Sequence, residues 1–107
     1  MKTLKFAPPL PEKILSWEKN TTWRIHDDKN ISVWDNIECF DIHKEKFAII
    51  KVIKVKNTTF WNLNDEDKTW HETFEDDEVM YQTYKNYYHT EISPETEVKV
   101  VKFKIIL

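Results

Sequence analysis

The sequence predicts an α+β domain that is mainly β, on three observations. Apolar residues recur with a period of two, or in short runs, at 37–42, 47–55 and 97–107, the patterns of half-buried and fully buried strands. Helix signals are confined to a short stretch opened by Pro11 and to the acidic region after residue 64. The 107 residues show no internal repeat and no linker. They make one domain, 1–107, large enough to bury a core without disulfides or metal.

Taken in order, residues 3–6 read as a short strand broken by Pro8 and Pro9. Pro11 opens a helix containing Ile14 and Leu15, because its fixed φ and missing N–H suit a first turn. Residues 21–25 are β-branched and aromatic, the composition of a strand. Asp27, Asp28, Lys29 and Asn30 form a polar turn cluster. Strands 37–42 and 47–55 flank His43, Lys44 and Glu45 and predict a hairpin. In the second, Ile49, Lys51, Ile53 and Val55 alternate with Ile50, Val52 and Lys54, so both faces are largely apolar, as in a central strand.

Asn64 or Asp65 is placed to cap a short helix, and Asp76 or Asp77 a second one. Met80, Tyr84, Tyr87 and Tyr88 share one face of the latter, the signature of packing against a sheet; a platform for stacking bases is the sharper reading. In the last strand Val98 and Val100 alternate, then Val101, Phe103, Ile105 and Leu107 take over out of phase. That change predicts a β-bulge near Val100.

Composition excludes several functions. Apolar residues at 40% and charged residues at 33% describe a globular chain, not a disordered one. No apolar run approaches the roughly 20 residues of a membrane span, and the N-terminal segment, broken at Pro8, does not read as a signal peptide. Cys39 is the only cysteine, so no internal disulfide forms. These features predict a cytoplasmic protein without membrane contact. The net charge of −3 argues against broad, non-specific binding to nucleic acid.

The chain contains no glycine and five tryptophans, where average usage of about 7% would give roughly seven glycines. Trp17, Trp34, Trp61 and Trp70 fall at helix ends and turns, where glycine is the usual residue. Trp23 lies inside a strand and reads as core, because it points opposite to Thr22 and Arg24. With glycine in mind, Trp17, Lys19, Thr22 and Arg24 fit the pattern G-x-K-x-x-T-x-R, with only the leading glycine replaced. Trp34 and Asp35 stand where a Gly-Asp pair is common.

On these residues the chain resembles the ASCH domains, a branch of the PUA-like β-barrels, over nearly its whole length. The resemblance implies a small β-barrel of five or six strands with two or three helices outside it, the segment 64–88 lying beside the barrel opening near Lys19. It also gives the tryptophans a second origin. A UGA codon that the source reads as glycine would appear as Trp under the UGA-tryptophan code. Such indoles should be exposed, whereas Trp23 should be buried. An indole at Trp17, two residues before Lys19, is placed to narrow a cleft there.

Lys19, Thr22 and Arg24 are the candidate site. Thr22 and Arg24 point to one face of a strand, and Lys19 enters from the preceding turn. A desolvated lysine serves as a base, and a threonine hydroxyl beside it becomes a nucleophile. The guanidinium of Arg24 offers a planar fork of donors for phosphate, carboxylate or a base edge. Without the resemblance, these read as surface cations flanking an ordinary strand threonine.

Some ASCH proteins resembling this chain are amidohydrolases of N4-acetylcytidine that use a Lys, a Thr and a Glu. Lys19 and Thr22 map onto the first two, and Glu72, with Glu75 as fallback, onto the third. Others resemble RNA-binding modules. For these the resemblance implies RNA or a modified nucleoside as partner, with Lys19, Arg24 and Trp23 as contacts. No cofactor and no metal is expected. His26, His43, His71 and His89 lack ligand spacing and read as surface residues, and Cys39 reads as a buried small apolar residue.

Overall fold

The computed structural model describes residues 2–17, 19–25, 29–68, 71 and 74–106. Among them, five strands and three α-helices follow in the order β1 (Lys2–Lys5), α1 (Leu10–Leu15), β2 (Thr21–Arg24), β3 (Asn36–Phe40), β4 (Lys46–Thr59), α2 (Asp65–Lys68), α3 (Asp77–Tyr88) and β5 (Glu97–Ile105). A 3-10 turn, Phe60–Asn62, follows β4. Glu72, Trp70 and His26 lie outside the described residues.

The helix ends follow the sequence signals. Pro11 sits in the first turn of α1. The Asn64 side chain accepts from the Asp67 N–H at 2.9 Å. The Asp76 carboxylate caps α3 by accepting from the Val79 N–H at 2.9 Å. Each satisfies an amide that has no partner within its helix.

The strands form one mixed sheet in the order β1-β3-β4-β5-β2. Only β1 and β3 run parallel. The sheet curls into a half-barrel whose free edges are β1 and β2. Its inner face holds the main core of Leu4, Phe6, Ile14, Ile37, Cys39, Ile50, Val52, Val101 and Phe103. α3 covers part of the outer face and builds a second core with Trp23, Phe60, Met80, Tyr84, Val98 and Val100.

These two cores correct the reading of the last strand. β5 alternates regularly: Val98 and Val100 face the helices, while Val101 and Phe103 face the barrel. Both sets are apolar because one end of the strand is covered on both sides, so no bulge is needed near Val100. The irregularity lies in β4, between Val52 and Lys54. Beyond it the phase flips. Val55 packs on the inner core with Ala48, Ile50 and Val52, and Lys54 joins Lys51 outside, contrary to the alternation read from the sequence.

Candidate functional site

The signature segment begins at the end of α1. Ser16 closes the helix, and Trp17 takes the left-handed conformation, φ 67°, with its N–H donating to the Ile14 carbonyl at 3.2 Å. This is the C′ position of a helix, where glycine dominates. The chain turns here, and the Lys19 N–H returns to the Lys13 carbonyl at 3.0 Å. The turn swings Lys19 inward, leaving it 1% exposed. Its Nζ donates to the Thr21 carbonyl at 2.6 Å.

Trp34 repeats the pattern. The Asp35 N–H donates to the Ser32 carbonyl at 3.1 Å, closing a four-residue turn, and Trp34 at its third position has φ 74°. A type II turn needs positive φ there, hence glycine. The indoles of Trp17, Trp34 and Trp61 are 61%, 67% and 77% exposed, whereas Trp23 is 3% exposed. The exposure expected of the indoles therefore holds for the three that are described. Trp61, within the 3-10 turn, has no positive φ.

β2 pairs with β5 on one side only, so its other side borders the gap of the half-barrel. Thr22 and Arg24 line a cavity of about 250 Å³ in that gap, with Lys5 and Phe6 from the end of β1, Leu10 from α1, and Tyr84, Tyr87 and Tyr88 from α3. Trp23 and Ile42 complete its described wall with Ala7. Lys5 and Arg24 are its cations, and no carboxylate is among the described lining residues.

The Arg24 guanidinium carbon lies 5.0 Å from the centroid of the Phe6 ring, a cation–π distance. Its Nε is buried and has no hydrogen-bond partner among the described residues. A buried unpaired donor on a charged group is costly, and such groups call for an acceptor. Arg24 also borders a wider groove of about 850 Å³ between Asn57, Thr58, Thr90 and Lys99, which carries Glu91 and Glu97. The aromatic cavity, with no carboxylate among its described lining residues, is the better match to a stacked, acceptor-bearing ligand.

The structure brings Thr22 and Arg24 into one cavity, together with Trp23. Lys19 lies beside them in the chain but is not among the described residues that line it. Trp17 does not line it either, so the indole expected to narrow the cleft points elsewhere. Glu75 is exposed and borders a separate cavity of about 290 Å³ with Lys68, Phe74 and Met80. Glu72 falls outside the described residues.

Trp23 is held on every side. Its ring stacks on His71 at 3.8 Å, and its Nε1 donates to the Asp67 carbonyl at 3.1 Å. Tyr84 stacks at 5.9 Å from it and shares a 3.2 Å hydrogen bond with His71 Nε2. His71 is thus buried, 5% exposed, against the surface position expected of it. His43 and His89 are exposed as expected. Nothing local in the sequence marks a buried histidine; the burial of His71 follows from a long-range stack.

The aromatic face of α3 divides by depth. Met80 and Tyr84 are core, while Tyr87, 50% exposed, and Tyr88 extend the wall of the cavity outward. Cys39 lies fully buried on the inner face, and burial pushes its thiol up to about 12 despite the opposing influence of Arg24. That thiol is no nucleophile. No group of metal-ligating side chains is found among the described residues, and none of the described helices is long and apolar enough to cross a membrane.

Compared by sequence, the chain matches no protein-family model and no curated protein. Compared by structure, it is similar to solved ASCH domains. The ASCH domain from Lactobacillus crispatus JV V101 superposes with a TM-score of 0.69 at 13% identity, over 89% of this chain and 69% of that one. The fold is that of an ASCH domain. The ASCH protein from Zymomonas mobilis gives 0.69 at 12% identity, over 97% of this chain and 68% of that one. Protein EF3133 from Enterococcus faecalis V583, of the DUF984 family model, gives 0.79 at 13% identity, over 99% and 76%. The likeness is one of fold, and the ASCH half-barrel accounts for the gap in which Thr22 and Arg24 meet.

Proposed function

We propose that this ASCH-type domain binds RNA or a modified nucleoside in the cavity around Thr22 and Arg24. One observation carries the reading: a buried Arg24 Nε without a hydrogen-bond partner among the described residues, in a pocket that Thr22 also lines and that Phe6, Tyr84, Tyr87 and Tyr88 wall. Aromatic rings supply faces for a base, and each base–aromatic stack is worth about 1–3 kcal/mol. Arg24 and Lys5 supply the donors for phosphate oxygens or base edges. The volume, about 250 Å³, falls just below the roughly 300–1,000 Å³ of pockets for drug-sized ligands. It suits a single nucleoside or nucleotide.

A second reading is amidohydrolase activity on N4-acetylcytidine. It is favoured by the burial of both Lys19 and Thr22, 1% and 5% exposed. In that reading Thr22 attacks the acetyl carbonyl while Lys19 takes its proton, Glu72 or Glu75 protonates the leaving cytidine amine, and water then hydrolyses the acetyl-threonine ester to acetate and restores the threonine. The engagement of Lys19 by the Thr21 carbonyl favours binding as the primary role.

Incubation with N4-acetylcytidine separates the two. Cytidine release that disappears in Lys19→Ala and Thr22→Ala supports the hydrolase. No release, with salt-sensitive RNA binding weakened by Arg24→Ala, supports the binder. The absence of both activities sinks the proposal.

A further inference from the structure

The outer face of the sheet is only partly covered. α2 and α3 sit over Trp23, Val98 and Val100, and the adjoining half of β4 and β5 is left open. Registered pairs of like charge occupy it: Lys51 lies opposite Lys104, and Lys54 opposite Lys102. Like charges directly opposite on a sheet destabilise it. Nearby acids relieve the Lys54–Lys102 pair and leave Lys51–Lys104 uncompensated. Glu66 ion-pairs with the Lys54 Nζ at 2.5 Å, and Asp67 is taken by Lys56 at 2.9 Å. The Lys51 and Lys104 side chains show no hydrogen bond or ion pair among the described residues, although their backbones pair in the sheet. In a chain of net charge −3, four lysines in two facing pairs are a concentrated exception.

The position of the strip bears on its use. Lys102 Nζ lies 3.3 Å from Thr21 Oγ1 and 2.8 Å from the Glu66 carbonyl, on the outer face of β2, the edge strand whose opposite face carries Thr22 into the cavity. The strip therefore runs up to β2, while Ile53 and Ile106, each 44% exposed, add apolar surface for sugars or bases. We infer that Lys51, Lys54, Lys102 and Lys104 form a docking strip for the phosphate backbone of single-stranded RNA. The inference rests on the RNA-binding reading of the cavity and extends it: the cavity would take one nucleotide, and the strip would hold the flanking backbone. Backbone phosphates neutralise Lys51 and Lys104, which removes the repulsion that this pair carries in the free sheet.

The test uses the full chain, a fluorescent single-stranded RNA of about 12 nucleotides and cytidine 5′-monophosphate. RNA affinity is measured from roughly 50 to 200 mM salt for the wild type, Lys51→Gln/Lys104→Gln and Arg24→Ala. Both lysines lie on the open face, and circular dichroism checks that the double variant is folded. The double variant is expected to lose about tenfold in RNA affinity. Its salt slope should fall by about 1.4, at about 0.7 for each phosphate no longer neutralised, with mononucleotide binding unchanged. Wild-type slope and affinity in the double variant overturn the strip, as does failure of the wild type to bind RNA at about 50 mM salt. Mononucleotide binding lost in Arg24→Ala alone reports on the cavity, so the two readings fail separately.

Discussion

The Arg24 guanidinium stands 5.0 Å over the Phe6 ring and so links the two edge strands that the half-barrel leaves unpaired. Neither β1 nor β2 hydrogen-bonds to the other. Aromatic contact and side-chain packing close the gap instead. The cost is a buried Nε without a partner among the described residues. Replacing Arg24 by Ala removes that cost and a cation–π contact worth about 0.5–2 kcal/mol. The two effects offset, so Arg24→Ala should shift stability by less than about 1 kcal/mol while abolishing ligand binding. Urea unfolding beside a nucleotide titration checks both. A large loss of stability would assign Arg24 a structural role.

Trp17 and Trp34 stand in left-handed backbone at φ 67° and 74°, and both indoles are mostly exposed. A non-glycine residue there is disfavoured by about 1–2 kcal/mol, and little burial compensates. Trp17→Gly and Trp34→Gly should each stabilise the domain by about 1 kcal/mol. Trp61→Gly, in a 3-10 turn without positive φ, should bring no such gain. Thermal melts of the three variants separate them. The gene gives an independent check: UGA codons at 17 and 34 indicate glycine in the source, and UGG at both means that the tryptophans are genuine.

Cys39 is fully buried on the inner face, and burial raises its thiol to about 12. At about pH 8 it should resist thiol reagents in the folded protein and react at once in denaturant. Rapid labelling of the native chain would mean that the inner core opens easily.

Asp35 accepts hydrogen bonds from Lys2 and from the Ser32 N–H, which hold its carboxyl below the ordinary 3.8. A group depressed in the folded state adds stability that is complete above its unfolded pKa and is lost as pH falls through the folded value. Stability should therefore fall below about pH 4, and Asp35→Asn should flatten that acid limb while lowering stability at neutral pH. Denaturant midpoints between about pH 2 and 7 test this. An unchanged acid limb in the variant contradicts it.

Much of the fold was legible because it rests on short-range patterns: Pro11 at a helix start, Asp76 at a cap, period-two strands. The bulge at Ile53 was hidden, since a run apolar on both faces gives no phase to follow. The apparent slip at Val100 arose the same way, from a strand covered by helices on one side and barrel on the other. Thr22 and Arg24 were legible as one face of a strand. Lys5, Phe6 and Leu10 were not, because they reach the cavity only through the curl that brings the first strand near the second. His71 likewise owes its burial to Trp23 and Tyr84, distant in sequence.

The central claim is that the gap between the sheet edges is a ligand site. Amide NMR titration with cytidine 5′-monophosphate and N4-acetylcytidine tests it most directly, in wild type and Arg24→Ala. Shifts should cluster at Phe6, Thr22, Arg24, Tyr87 and Tyr88, saturate in the wild type and vanish in the variant. Shifts confined to other surfaces, or equal in both proteins, would contradict it.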